Sequence, residues 1–252
     1  MTLGDDELAR YVRHIVLKEI GGDGQRRIKA ATVAIVGAGG IGSPTIQYLA
    51  AAGVGRLILI DHDRVDASNL QRQTLFATRD IGLEKVAAAA DASQRLNPHV
   101  VVDRHPARLD RANAATLLQG ADVVIDGCDD FATRLIVADT ALALHMPLVS
   151  AAVGQFEGQL AVYRGWEADK PCYRCFVGDD PAQAGVSCAE DGVLGPVTGI
   201  LGSLAALEAL RAIVPFGEDS AGKLLLADML ALRFRTLRLP KDSGCAGCNA
   251  TD

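Results

Sequence analysis

The chain is 252 residues long, 49% hydrophobic and 22% charged, with a formal net charge of -6; this bulk predicts one large domain with a small appendage and excludes wholesale disorder. The acidic balance, with a pI near 5.4, argues against nucleic acid as a partner, because phosphate backbones are bound by clustered Lys and Arg. The N terminus is acidic rather than basic-then-apolar, and the apolar runs at 31–42 and 193–210 are too short, or broken by Glu208, to cross a bilayer, so a cytoplasmic protein with no membrane partner is expected.

In chain order, apolar side chains at Leu8, Tyr11, Val12, Ile15 and Leu17 predict a helix over 5–20, stopped by Gly21 and Gly22. A β-branched run predicts a strand at 32–36, followed by Gly37-Ala38-Gly39-Gly40-Ile41-Gly42, a helix over 43–52 and a second strand at 56–61. Beyond a polar stretch come a helix over 84–96 closed by Asn97-Pro98, a strand at 100–104, a helix at 112–119, a strand at 121–126, a helix at 133–145 and a strand at 147–152. This alternation predicts a Rossmann-like, doubly wound α/β fold with a mostly parallel sheet. The last third changes character, with a β segment at 158–163, a loop over 169–192, a helix over 198–213 and a strand pair within 223–239.

Gly37, Gly39 and Gly42 open a helix directly after a strand, and Asp61 ends the next strand. Glycines let the backbone approach phosphates at a helix N terminus and the acid accepts ribose hydroxyls, so a nucleotide is expected, although the motif alone serves NAD or FAD as readily as ATP. Asp61-His62-Asp63 leads into Asn69-Leu70-Gln71-Arg72-Gln73, with Lys85 further on. Arg72 and Lys85 supply the charge a triphosphate needs, against the ordinary alternative of solvated surface cations. The fourth strand ends in Asp126-Gly127-Cys128-Asp129-Asp130; a carboxylate there could hold Mg²⁺ between phosphates or merely cap the next helix.

Six cysteines in such a chain suggest metal ligands or reactive thiols rather than disulfides. Cys172-x-x-Cys175 and Cys245-x-x-Cys248 offer four thiolates to one structural Zn²⁺ with no open position, which would pin the C-terminal tail. Cys128 follows a buried strand and reads as a small core residue or a pocket wall, and Cys188 sits in a Gly- and Asp-containing loop.

Together these residues resemble the ThiF/MoeB/HesA family, bacterial relatives of ubiquitin-activating enzymes. The resemblance is carried by RYVRHIVLKEIGGDGQ, VAIVGAGGIG, NLQRQTLF, LEKV, the acid after the fourth strand, CYRC, SCAEDGVLGPVTGILGSLAALEAL and GCAGC, which span nearly the whole chain. It implies a single adenylation domain over 1–252, with a nucleotide-binding part at about 1–152 and a zinc-containing, carrier-binding part at about 153–252. It also implies a reaction: the C-terminal Gly-Gly carboxylate of a small ubiquitin-like sulfur carrier attacks the α-phosphorus of MgATP and releases pyrophosphate, for thiamin, molybdopterin or a related sulfur-transfer pathway. By motif match, Asp61 is expected on the ribose, and Gly37, Gly39, Gly40, Gly42, Asp63, Asn69, Arg72, Gln73 and Lys85 around the rest of the nucleotide, with Arg72 and Lys85 also catalytic. Asp129 is expected to hold Mg²⁺ or to be catalytic. Arg13 matches an arginine that reaches the ATP of the opposite subunit, which implies a homodimer. Cys188 matches a loop cysteine that links covalently to the carrier in the thiamin branch and is dispensable in the molybdopterin branch. A cysteine desulfurase or a rhodanese is the implied sulfur donor. Cys128 and Asp130 depart from the pattern, standing where relatives more often have Thr and Asn. The competing readings are a nicotinamide-dependent oxidoreductase and an inactive carrier-binding scaffold.

Overall fold

The computed structural model describes residues 2–178 and 192–248. Its centre is one eight-stranded sheet in the order β3-β2-β1-β4-β5-β6-β7-β8. The parallel half comprises β1 (Thr32–Val36), β2 (Arg56–Ile60), β3 (Val101–His105), β4 (Val123–Asp126) and β5 (Leu148–Gly154). Antiparallel pairings then add β6 (Glu157–Tyr163), β7 (Lys223–Asp228) and β8 (Arg233–Arg238). The expected fold is present, and β5 runs across 152–153, so a single sheet joins the two parts read from the sequence.

The continuous apolar character of β1, β2 and β4 follows from burial on both faces. One face carries a core around Val33, Ile35, Leu57, Leu59, Ile125 and Leu201, and the other a core around Ala34, Val36, Ile58, Ile60, Val124 and Leu148. The helices are α1 (Asp5–Ile15), α2 (Gly21–Ala30), α3 (Gly42–Ala52), α4 (Lys85–Leu96), α5 (Ala114–Leu118), α6 (Phe131–Ala143), the single turn α7 (Arg174–Val177) and α8 (Gly195–Ile213).

The N-terminal segment corrects the expectation of one helix over 5–20 stopped by Gly21 and Gly22. Those glycines begin α2 instead, with Gly21 in the left-handed region at φ 60°. Three glycines give α2 poor intrinsic propensity, and tertiary contact overrides it. Gln25 and Ile28 are buried, and the Gln25 amide donates to the Ala52 carbonyl at 2.8 Å.

By length and mean hydropathy (19 residues, 1.3) α8 is apolar enough to cross a membrane, despite Glu208. Its packing is that of a core helix: Val197, Leu201, Ala205 and Ala209, four residues apart, are buried in the sheet's core. At Gly202 α8 touches α3, where the Thr45 hydroxyl donates to the Gly202 carbonyl at 2.9 Å.

Candidate active site

The register of the parallel half brings three strand ends together. Val36 pairs with Ile60 on one side and Asp126 on the other, so Gly37, Asp61 and Gly127 emerge side by side where the strand order reverses. The Gly37 amide donates to the Ile60 carbonyl at 2.9 Å and the Gly127 amide to the Val36 carbonyl at 3.0 Å. A cavity of about 490 Å³ opens above them.

Gly37 adopts φ 92°, and a Cβ there would meet the Gly127 carbonyl at 2.9 Å. Gly37, Gly39 and Gly40 line the cavity; Gly42 is not in its lining and begins α3 with its Cα against the Gly37 carbonyl. Buried Asp61 shapes the same loop. One carboxylate oxygen accepts the Ala38 amide at 2.7 Å, the other the Asp63 amide at 2.8 Å. Each retains a lone pair for a ligand hydroxyl.

The opposite wall comes from the polar stretch after β2, which forms a 3-10 turn at Ala67–Asn69 capped by the Asp66 side chain. Asn69, Arg72 and Gln73 face the cavity, with Arg72 donating to the Ser68 carbonyl at 3.0 Å. Gln73 is buried and its carbonyl oxygen has no partner, which makes it a place for a donor from a ligand or water. Lys85 is buried at the start of α4, its Nζ 2.8 Å from Asp63. Burial pushes the Asp63 carboxyl up, but the bond to Lys85 and its charge outweigh this and the net direction is down. Lys85 is therefore a held ammonium rather than a solvated surface cation.

The loop after β4 separates two adjacent acids. Asp130 caps α6, accepting the Ala132 and Thr133 amides at 3.2 Å, and receives Arg108 at 3.3 Å. Its neighbour Asp129 is exposed and lines the cavity. The capping role open to Asp129 in the sequence belongs to Asp130.

Among the described residues, Arg13 is, like Gly42, absent from the lining, and it is exposed on α1; Cys188 lies outside the described residues. The lining also includes polar residues that the sequence did not single out, among them Arg108, Thr133, Arg134 and Thr198. For Arg134 the signal was available, as an arginine on the otherwise apolar face of a helix (FATRLIVADTALA).

Away from the cavity, the two Cys-x-x-Cys pairs do meet. Cys172 and Cys175 sulfurs lie 3.7 Å apart, Cys172 and Cys245 3.6 Å, and Cys175 and Cys248 3.5 Å. A tetrahedral zinc ion with bonds of about 2.3 Å needs sulfurs about 3.8 Å apart, so the four could hold one. Burial above all pushes the Cys172 and Cys248 thiols up, the latter to about 11; a shared cation would let all four ionise together. Arg174 fixes the first knuckle to α6 through two bonds to Asp139 at 2.7 and 2.8 Å.

Among known proteins, a sulfur carrier protein adenylyltransferase of Thermus thermophilus is 44% identical, covering 96% of this chain and 91% of its own. An Anopheles gambiae adenylyltransferase and sulfurtransferase MOCS3 is also 44% identical over 98% of the chain, which spans only 56% of that relative. Among solved structures, PaaA is 26% identical with a TM-score of 0.79, covering 96% of this chain and 76% of its own. E. coli MccB, at 21% identity and TM-score 0.83 with 95% and 74% covered, shares the fold. The ThiF family matches residues 11–247, nearly the whole length over which these elements and this cavity were traced, and the chain belongs to the ThiF family.

Proposed function

We propose that this protein adenylates the C-terminal Gly-Gly carboxylate of a small ubiquitin-like sulfur carrier, using MgATP. The observation that carries this reading is the composition of one cavity: a strand-end acid at Asp61, amides and cations at Asn69, Arg72, Gln73 and Lys85, and the exposed carboxylate of Asp129. A nicotinamide site would leave that polar wall without a purpose. The Thermus relative, named for the same reaction, supports the substrate class.

In this reading Asp61 accepts the ribose hydroxyls and the glycine loop with the α3 N terminus takes the phosphates. Arg72 and Lys85 neutralise charge as a carrier carboxylate oxygen bonds to the α-phosphorus and the bond to pyrophosphate breaks. Asp129 would hold Mg²⁺, which supplies further charge neutralisation on the phosphates. Cys172, Cys175, Cys245 and Cys248 would hold a structural Zn²⁺ in the part that receives the carrier, about 153–252. Arg13 would act in the site of a second subunit in a homodimer, consistent with the exposed apolar residues Leu8 and Val12 on α1 and Val16 just after it. The protein would work in the cytoplasm, and sulfur would be added afterwards from a cysteine desulfurase or a rhodanese. Cys188 would be the residue to link to the carrier in that later step.

Pyrophosphate exchange into ATP is expected only with a carrier ending in Gly-Gly. Asp129→Ala should reduce it by at least about a thousandfold, the scale of losing a group that stabilises transition-state charge, with metal content and folding intact. Tight NADH binding without exchange would overturn the proposal.

A further inference from the structure

The loop that carries Asp129 is held from below by charged groups that take no part in the reaction proposed above. Asp126 (1% exposed) and Arg134 (8% exposed) form an ion pair at 3.4 Å. A buried pair of this kind is weak as a source of stability, and here its hydrogen bonds converge on one short segment. Asp126 Oδ1 accepts the Cys128 amide at 3.0 Å, and Arg134 donates to the Cys128 carbonyl. Both faces of the residue preceding Asp129 are thereby fixed.

The same pair is tied into β5. The Ser150 hydroxyl donates to Asp126 Oδ2 at 2.9 Å, and Arg134 donates to the Ala151 carbonyl at 2.9 Å. On its far side the Arg134 guanidinium lies near the Tyr173 hydroxyl, and the two groups act on each other electrostatically. Tyr173 follows Cys172 in the first cysteine knuckle, its buried ring edge-on to Tyr163 at 5.5 Å and tilted against Phe131 at 6.5 Å. Phe131 begins α6, directly after Asp129 and Asp130.

We propose that Arg134 is a positioning residue for Asp129 and that Asp126, Arg134 and Tyr173 couple the four-cysteine knuckle to the Asp129 loop. This inference rests on the reading of Asp129 as a group of the adenylation site. Tyr173 is not itself in the cavity lining, yet loss of its hydroxyl should slow turnover rather than weaken nucleotide binding.

The test compares Tyr173→Phe and Arg134→Lys with the wild-type protein in carrier-dependent exchange, with bound metal counted and amide hydrogen exchange followed at Cys128 and Asp129. Tyr173→Phe keeps the ring packing and should lower kcat about tenfold, the scale of losing one polar neighbour of a buried charge, with the KM for ATP within about twofold. Arg134→Lys keeps the charge but not the planar fork that serves two carbonyls and the Asp126 carboxylate, and should lower kcat further. Both should speed amide exchange at Cys128 and Asp129 while metal content stays the same. Unchanged kcat and unchanged protection in Tyr173→Phe would overturn the coupling; so would a loss of kcat that merely follows lost metal or lost folded protein. A wild-type protein with no exchange activity would sink the adenylation reading instead, and the amide measurement would still decide whether the network positions the loop.

Discussion

A methyl group at position 42 would have nowhere to go, because a Cβ there would lie 2.0 Å from the Gly37 carbonyl oxygen. At Gly39 the nearest side-chain atom to such a Cβ is Gln73 Nε2, at 3.8 Å across the cavity lining. The two glycines of one motif therefore answer to different constraints, the first to the turn and the second to the ligand. Gly42→Ala should cost about 3 kcal/mol or more of stability, since the clash is with backbone that cannot yield. Gly39→Ala should unfold with a near wild-type midpoint in thermal denaturation but bind a fluorescent ATP analogue at least about tenfold more weakly, as the methyl occupies space meant for phosphate. An equal loss of stability in both variants would refute the distinction. The acids after β4 divide in a similar way. Their sequence offers either one as cap or ligand, and only the orientation of the first turn of α6 gives the cap to Asp130 and leaves Asp129 exposed, although both line the cavity.

Among the elements, α1 depends on a buried acid. Glu7, 4% exposed, accepts the Gly4 amide at 2.9 Å and the Lys29 ammonium at 2.6 Å, tying α1 to α2. Burial pushes the Glu7 carboxyl up, and the Gly4 and Lys29 bonds outweigh it to leave the folded value below the ordinary one. A depressed carboxyl contributes stability that is fully present above the unfolded value, about 4.3, and is lost as pH falls through the lower folded value. Amide protection in α1 should therefore fall below about pH 4.3 sooner than in the sheet, and Glu7→Gln should flatten that dependence while lowering protection at neutral pH. In α8 the critical contact is Leu201, fully buried, whose side chain would sit 2.6 Å from a Cβ on Gly158. Leu201→Ala should cost about 2–5 kcal/mol in denaturant unfolding; a smaller loss would mean the helix can collapse onto the strand. Neither anchor was visible in the amphipathic pattern, because Glu7 reads as a surface acid and α8 is apolar around most of its circumference.

For the whole molecule, the closing tail and the proposed subunit exchange are open to direct measurement. One zinc per chain is expected, and Cys248→Ser should lose it and expose the tail after β8 to protease, as the knuckle sulfurs sit within 3.7 Å of their neighbours only because residues 172 and 245 return to one place. Mixing inactive Arg13→Ala and Asp129→Ala proteins should restore about a quarter of wild-type exchange, since half of randomly reassorted dimers carry one intact site of two. No recovery would place Arg13 in its own subunit's chemistry, and an active Arg13→Ala protein would place it outside the chemistry altogether.

Whereas the wall of Asn69, Arg72, Gln73 and Lys85 was implied only by the family resemblance, the sequence alone determined the alternation of strands and helices, the glycine loop with its acid one strand later, and the two cysteine pairs. Each of these rests on local spacing, which the period of a helix, the reach of a turn or the grip of a metal imposes on neighbouring residues. Tertiary structure alone decided that a Gly-rich segment forms α2, that Asp130 and not Asp129 is the cap, and that Asp126, Arg134 and Tyr173 meet beneath the loop between them. Those three lie on a strand, a helix and a knuckle up to 47 residues apart in the numbering of the chain, and only the packing of α6 and the knuckle against the sheet brings their charges and hydroxyl within reach of one another.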